Sequence, residues 1–288
     1  MARKLLITGA AGQLGQALVR EGGRQGWEVV ATDVHDLDIT DPQAITGELS
    51  RHRPEVVINA AATTRVDDLE SDADLALRVN SLGPRNLAVA CRRGGQKLIH
   101  LSSDYVFPGT KSAPYVEWDE TGPLSVYGRS KLLGEEWVRQ QCPDHFIVRT
   151  AWLYGVPGPN FVTAILARGR SLAPEAALKV VNDQRGTPTS ALALAPQLLA
   201  LAATEAFGTY HATCQGETTW YDFARLILTT AGIETRVTPC ATSEFPRPAR
   251  RPANSVLANR LLQVAGLDLM PPWEAAFRQF WETHGDHL

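Results

Sequence analysis

Tyr127 and Lys131 stand four residues apart in "YGRSK", with small or polar residues between them and an apolar-patterned stretch after. On a helix, positions i and i+4 share a face, so the two side chains project together. The chemistry open to them is proton donation by a tuned phenol. A free tyrosine ionises near ~10, and a neighbouring ammonium favours the phenolate and brings the group closer to working pH. The lysine can also hold the ribose hydroxyls of a nicotinamide cofactor. The spacing also arises by chance, so its surroundings decide. Upstream, "LSSDYVF" offers Ser102 and Ser103 at the end of a strand-like run, followed by Asp104 and Tyr105. One of the two hydroxyls can hydrogen-bond a carbonyl oxygen as it becomes an alkoxide.

A second set of residues concerns phosphate. "TGAAGQLG" holds Gly9, Gly12 and Gly15 where a strand ends and a helix begins. Glycine there lets the backbone approach a pyrophosphate, whose charge the amide hydrogens and the helix N-terminus stabilise. Gln13 and Leu14, at the helix start, join these glycines as cofactor-binding candidates. A tight turn alone would explain the glycines, but "EVVATD" adds Asp33 at the tip of the second strand, placed to accept from an adenosine ribose. That acid would repel the extra phosphate of NADPH, whereas His35 nearby could face one, so NADPH and NADH both stay open. Asp38 and Ile39 are candidates for the adenine edge and face, with capping or solvation as the other reading of Asp38. Ala60, Ala61 and Ala62, after the third strand, leave room for a cofactor backbone or simply for close packing.

These residues need a scaffold to hold them. "KLLIT", "EVVATD", "PEVVINAAA", "KLIHLSS" and "HFIVRT" read as five buried strands, with segments long enough for helices between them. Strands alternating with helices predict an α/β fold, a Rossmann-like doubly wound parallel sheet whose ligands bind outside the carboxyl ends of the strands. From about residue 151 the alternation loosens. The expected division is a dinucleotide-binding domain over 1–150 and a smaller α/β substrate-binding region over 151–288, with part of 175–205 returning to the first.

Composition narrows the class. The chain has 288 residues, 44% hydrophobic and 20% charged, with a formal net charge of -3, so nothing points to nucleic acid. The densest basic run, "RPARR" at 247–251, reads as a solvated loop or a site for a small anion. The four cysteines are far apart and form no CxxC or zinc spacing, which fits a reducing, cytoplasmic setting. "ALALAPQLLALAA" is shorter than the roughly 20 residues a membrane span needs and contains Pro196, so no membrane role is expected. Glycine breaks the apolar stretch near the N-terminus before it could serve as a signal core.

At this point the chain resembles the extended short-chain dehydrogenase/reductase family. "TGAAGQLG", "VINAAATTRVDDLE", "SSDYVF", "YGRSKLLGE", "RTAWLYGVPGPNFV", "VVNDQRGTPT", "GTYHATCQGETTWYDFA" and "RPARRPANSVL" are similar, in order, to segments of its branch that reduces dTDP-4-dehydrorhamnose. The resemblance implies reduction of the C4 ketone of that nucleotide sugar by NADPH or NADH, as the last step of dTDP-L-rhamnose synthesis. It implies Tyr127 as general acid, Lys131 as its tuner and Ser103 as hydroxyl partner, where the branch usually has threonine. Asn80 braces the cofactor side or packs a helix. Val66, Asp104, Tyr105, Trp152, Asn160, Arg251 and Asn254 fall where the branch meets its substrate, with Tyr105 and Trp152 as sugar-facing aromatics. Thr63 and Arg65 depart from the branch's pattern. Some members join dimers through metal-binding glutamates that this chain does not match, so no metal site is expected, while a homodimer stays open as one option. Two other readings stand: another nucleotide-sugar reductase or epimerase, and a non-catalytic subunit resembling the regulatory β subunit of methionine adenosyltransferase.

Overall fold

The computed structural model describes residues 3–173 and 175–288; residues 1, 2 and 174, which fall in the two expected regions, lie outside the described residues. The apolar runs of the first half become β1 (Lys4–Thr8), β2 (Glu28–Thr32), β3 (Val56–Asn59), β4 (Lys97–Ser103) and β5 (His145–Thr150). Between them lie α1 (Gln13–Arg24), α2 (Pro42–His52), α3 (Ala73–Leu77), α4 (Gly83–Gly94) and α5 (Val126–Gln141). In the second half come β6 (Leu153–Tyr154), α6 (Phe161–Ser171), β7 (Ala177–Val181), β8 (Arg185–Gly186), β9 (Thr189–Ser190) and α7 (Ala191–Ala202). They are followed by β10 (Gly208–His211), β11 (Thr218–Thr219), α8 (Trp220–Thr230), β12 (Arg236–Cys240), α9 (Arg260–Val264) and α10 (Trp273–His284).

Six parallel strands form the central sheet in the order β10-β5-β4-β3-β1-β2. The chain winds outward in both directions from β1 and β3, so a crevice opens at their carboxyl ends, where "TGAAGQLG" leaves β1. Side chains alternate across a strand, and here the alternation sorts two cores. Leu5, Ile7, Val56, Ile58, Ile99, Phe146 and Val148 face α1 and α7, while Leu6, Val57, Leu98 and Ile147 face α2, α4 and α5. Both faces being covered is why these strands read as continuous apolar runs.

The second half contributes to this sheet. α7 is apolar on nearly all sides, and its residues belong to the same core as α1. β10 then pairs with β5 at the sheet's edge, Gly208 opposite Phe146. The remaining elements make a smaller layer: β7 pairs with β12, β6 with β9, and β8 with β11. Among the described residues, no helix is long and apolar enough to cross a membrane.

Candidate active site

Ser125 caps α5 by accepting from Gly128 N, so the helix begins one residue before Tyr127. Tyr127, Lys131 and Glu135 then lie along one stripe, facing the carboxyl end of β4. Gly134 lets the backbone at Asn80 pack against α5, since a Cβ there would run into the Asn80 carbonyl. Lys131 is 2% exposed, and its Nζ donates to the Leu101 carbonyl at 2.6 Å. Ser102 and Ser103 point to opposite faces of β4. Ser102 Oγ donates to Glu135 Oε1 at 2.6 Å, whereas Ser103 Oγ donates to Asp104 Oδ1 at 2.8 Å and accepts from Tyr105 N. Tyr127 and Tyr105 meet edge to face with centroids 5.5 Å apart, over Val66 and Leu69.

The electrostatics of this cluster are those of a dry site. Burial pushes the Tyr127 hydroxyl up to about 12, a hydrogen bond toward Ser103 draws it back, and the Asp104 carboxyl adds to the rise. The direction is opposite to the lowering expected from Lys131, because desolvation of the phenolate is the largest effect on it. Burial also lowers Lys131 to about 8, against the pull of Glu135. Asp104 rises to about 6 through burial, and its Oδ2 is buried without a hydrogen-bond partner.

A dinucleotide would meet the loop after β1. Gly9 has φ +66, and a Cβ on it would come within 2.7 Å of Ala61 N. A Cβ on Gly15 would run into the Gly9 carbonyl, so the loop closes tightly only with glycine. Gly12 stands at the N-cap of α1 with no side chain to cap the first-turn amides, which leaves them open to an anion. These features fit a pyrophosphate. Asp33 Oδ2 accepts from Ala11 N at 2.9 Å, so the acid ties the end of β2 to the glycine loop. Gln13 Nε2 donates to the Pro159 carbonyl, joining α1 to the loop before α6, and Leu14 is buried in the core. Asp38 caps Thr40 N. Ile39 differs from expectation: its side chain is 4% exposed beneath Gly83 and has no free face for an adenine. Asn80 sits in a π-helical turn, Arg78–Leu82, a geometry frequent at functional sites. Its amide exchanges bonds of 3.0 Å with the backbone of Thr63 and donates to Ser130 Oγ, bracing the loop after Ala60–Ala62 against α5.

Beyond Tyr105 opens a cleft of about 650 Å³ between the two layers. Its walls include Phe161, Gln184 and Trp220, with Arg168, Arg247 and Arg251 as cations. Arg251 lines the cleft and forms a fork with Asp67, at 2.5 and 2.8 Å. That pair holds the Asp67 carboxyl below the usual range, chiefly through the guanidinium hydrogen bonds. Trp152 has φ +46, a left-handed conformation unfavourable for a bulky residue, and stacks on Trp220 with centroids 3.4 Å apart. Trp220 therefore covers one face of the indole that was expected to stack on a sugar. Asn160 and Asn254 also differ from expectation. Asn160 caps α6 and donates to the Gly155 carbonyl; buried Asn254 clamps the Lys111 and Ala113 carbonyls and accepts from Val256 N. Their side-chain bonds are satisfied within the fold. Phe161, Gln184 and Trp220 were missed; the apolar start of α8 after "GETT" carried the only hint of Trp220.

Residues 3–285 match the model of the RmlD substrate binding domain. A dTDP-4-dehydrorhamnose reductase of Streptomyces griseus is 45% identical, covering 95% of this chain and 91% of that protein. A dTDP-4-keto-6-deoxy-D-glucose reductase of Streptomyces niveus is 41% identical, covering 97% and 96%. Among solved structures, a dTDP-4-dehydrorhamnose reductase of Bacillus anthracis in complex with NADP has a TM-score of 0.95 at 37% identity, covering 98% of this chain and 100% of that one. On a match that runs through both layers of the fold, the chain belongs to the RmlD substrate binding domain family of dTDP-4-dehydrorhamnose reductases.

Proposed function

We propose that the chain reduces the C4 ketone of dTDP-4-dehydro-β-L-rhamnose to dTDP-β-L-rhamnose with NADPH or NADH, the last step of dTDP-L-rhamnose synthesis. The observation that carries this reading is the buried Ser103–Tyr127 pair packed behind Tyr105, which itself lines a cationic cleft, in a chain 45% identical to a reductase of that name. Residues 1–150 hold the dinucleotide and the groups that meet the sugar's C4, and 151–288 supply most of the sugar-nucleotide cleft. Gly9, Gly12 and Gly15, with the amides of Gln13 and Leu14, take the pyrophosphate. The cofactor, when bound, supplies a hydride to C4. Tyr127 keeps its proton at neutral pH because burial raises it, and it delivers that proton to the C4 oxygen as charge develops there. Ser103 hydrogen-bonds the same oxygen once its hydroxyl turns from Asp104. Lys131 lies one turn below Tyr127 as its electrostatic partner. Arg251 and its neighbours offer positive charge to the diphosphate, and Tyr105 and Trp152 bound the sugar.

The working setting is the cytoplasm, in keeping with four buried free thiols. Exposed Leu77, just before the Asn80 turn, and Leu82, at its end, offer apolar contact to a homodimer. The test is loss of nicotinamide absorbance when purified protein meets enzymatically prepared dTDP-4-dehydrorhamnose, with NADH and NADPH in parallel. Tyr127→Phe should bind cofactor and lose on the order of 10² to 10⁴ in turnover. Unchanged turnover in that variant would remove Tyr127 from the reaction. The Streptomyces niveus relative supports a second substrate, a dTDP-4-keto-6-deoxyhexose of other configuration. Faster turnover of that sugar would favour it.

A further inference from the structure

Two adjacent rungs join α5 to β4 beneath the proposed acid. Lys131 Nζ donates to the Leu101 carbonyl, and Ser102 Oγ donates to Glu135 Oε1, both at 2.6 Å. Glu135 is 0% exposed and is held from the next strand by Arg149, whose Nε and Nη2 reach its two oxygens at 2.9 and 2.7 Å. Arg149 is itself buried, lies over the ring of Phe107 and donates to the Glu117 carbonyl, so the carboxylate is fixed from both β4 and β5. Glu135 is one helical turn beyond Lys131, on the Tyr127 stripe, and neighbours at i and i+4 lie close enough for their charges to interact.

We propose that Glu135 is a positioning residue of the reaction: the Ser102–Glu135–Arg149 network locks α5 to β4 in the register that sets Tyr127 beside Ser103, and its carboxylate is the buried counter-charge of Lys131. The proposal rests on the assignment of Tyr127 and Lys131 above. The titratable and charged groups around Lys131 are few. On its own helix are Tyr127 and Glu135. From β4 comes His100, which burial keeps neutral, and Asp104, in the turn after β4, acts on Tyr127. Glu135 is the one acid among them that favours the charged lysine. Arg139, at 3.5 Å from Glu135, and Arg149 are the competing cations.

The lysines are Lys4, Lys97, Lys111, Lys131 and Lys179, few enough for each ε-carbon to be followed by NMR in 13C-lysine-labelled protein. In the wild type, Lys131 should titrate near pH 8. In Glu135→Gln its midpoint should fall by roughly one unit or more, as when a close opposite charge is removed. The high-pH limb of turnover should move down with it. A folded Glu135→Gln with an unmoved Lys131 midpoint would overturn the proposal and leave Glu135 a packing residue. Because that variant strands buried Arg149 and can fail to fold, Ser102→Ala is the second arm, with the Glu135–Arg149 pair intact. It should lower kcat several-fold with little change in cofactor KM, and unchanged kcat would refute the locking role. The titration needs no turnover, so a wild type inactive on dTDP-4-dehydrorhamnose would fail the functional reading and leave this test standing.

Discussion

At Ser103 one hydroxyl proton has two claimants, the Asp104 carboxylate and the sugar oxygen. An ionised carboxylate only accepts, so Ser103 must release Asp104 before it can stabilise a developing alkoxide. Threonine offers the same hydroxyl, and Ser103→Thr should keep turnover within a few-fold, whereas Ser103→Ala should lose on the order of 10² to 10³. Steady-state kinetics of the two variants check this, and equal loss in both would point to packing. The spacing of Tyr127 and Lys131 and the neighbouring serines were readable in the sequence. That Ser103 meets Tyr127 while Ser102 bonds Glu135 was not readable from the spacing, since that depends on the pleat of β4. Nor was the rise of Tyr127, because desolvation comes from chain segments far away in sequence, including the loop that carries Val66 and Leu69.

Among the elements, the first strand–loop–helix unit was the most legible. Its apolar run, glycines and terminal acid each impose a local constraint that tertiary packing only completes. Gly15 is the strictest of them: a Cβ would meet Ala10 Cα at 2.6 Å as well as the Gly9 carbonyl, both backbone atoms unable to swing aside. Gly15→Ala should cost about 1–3 kcal/mol of stability, in the range of overpacking, and weaken NADPH binding at least tenfold. Urea unfolding and a fluorescence titration with NADPH measure both; wild-type affinity would show that the tight loop is not what the cofactor reads. Elsewhere the reading of contacts was less faithful. Ile39, Asn160 and Asn254 stand in the expected segments, but burial or capping occupies their side chains. Motif position fixes where a residue sits along the chain, and hydrogen bonding to nearby backbone decides whether its side chain is free.

At the scale of the whole molecule, one buried histidine links stability to pH. His211, on β10, is buried beside Arg149, and burial first, then that cation, lowers it to about 3. Its folded pKa is depressed below the ~6.5 of an unfolded histidine, so the stability it contributes is present above pH ~6.5 and is lost as pH falls toward 3. The urea midpoint should therefore drop between pH 7.5 and 5, and His211→Gln should flatten that drop. An unchanged slope in a folded variant would assign the acid response to other groups. The interleaving of the two halves also sets a timetable for synthesis. The glycine loop leaves the ribosome early, yet α1 waits for α7, β5 waits for β10, and Asp67 waits for Arg251. At about 5–20 residues per second, the stretch from Gly15 to Arg251 takes roughly 10–50 s to make. For that interval the nascent chain carries uncovered apolar strand and helix faces, surface of the kind that makes a folding intermediate prone to aggregate.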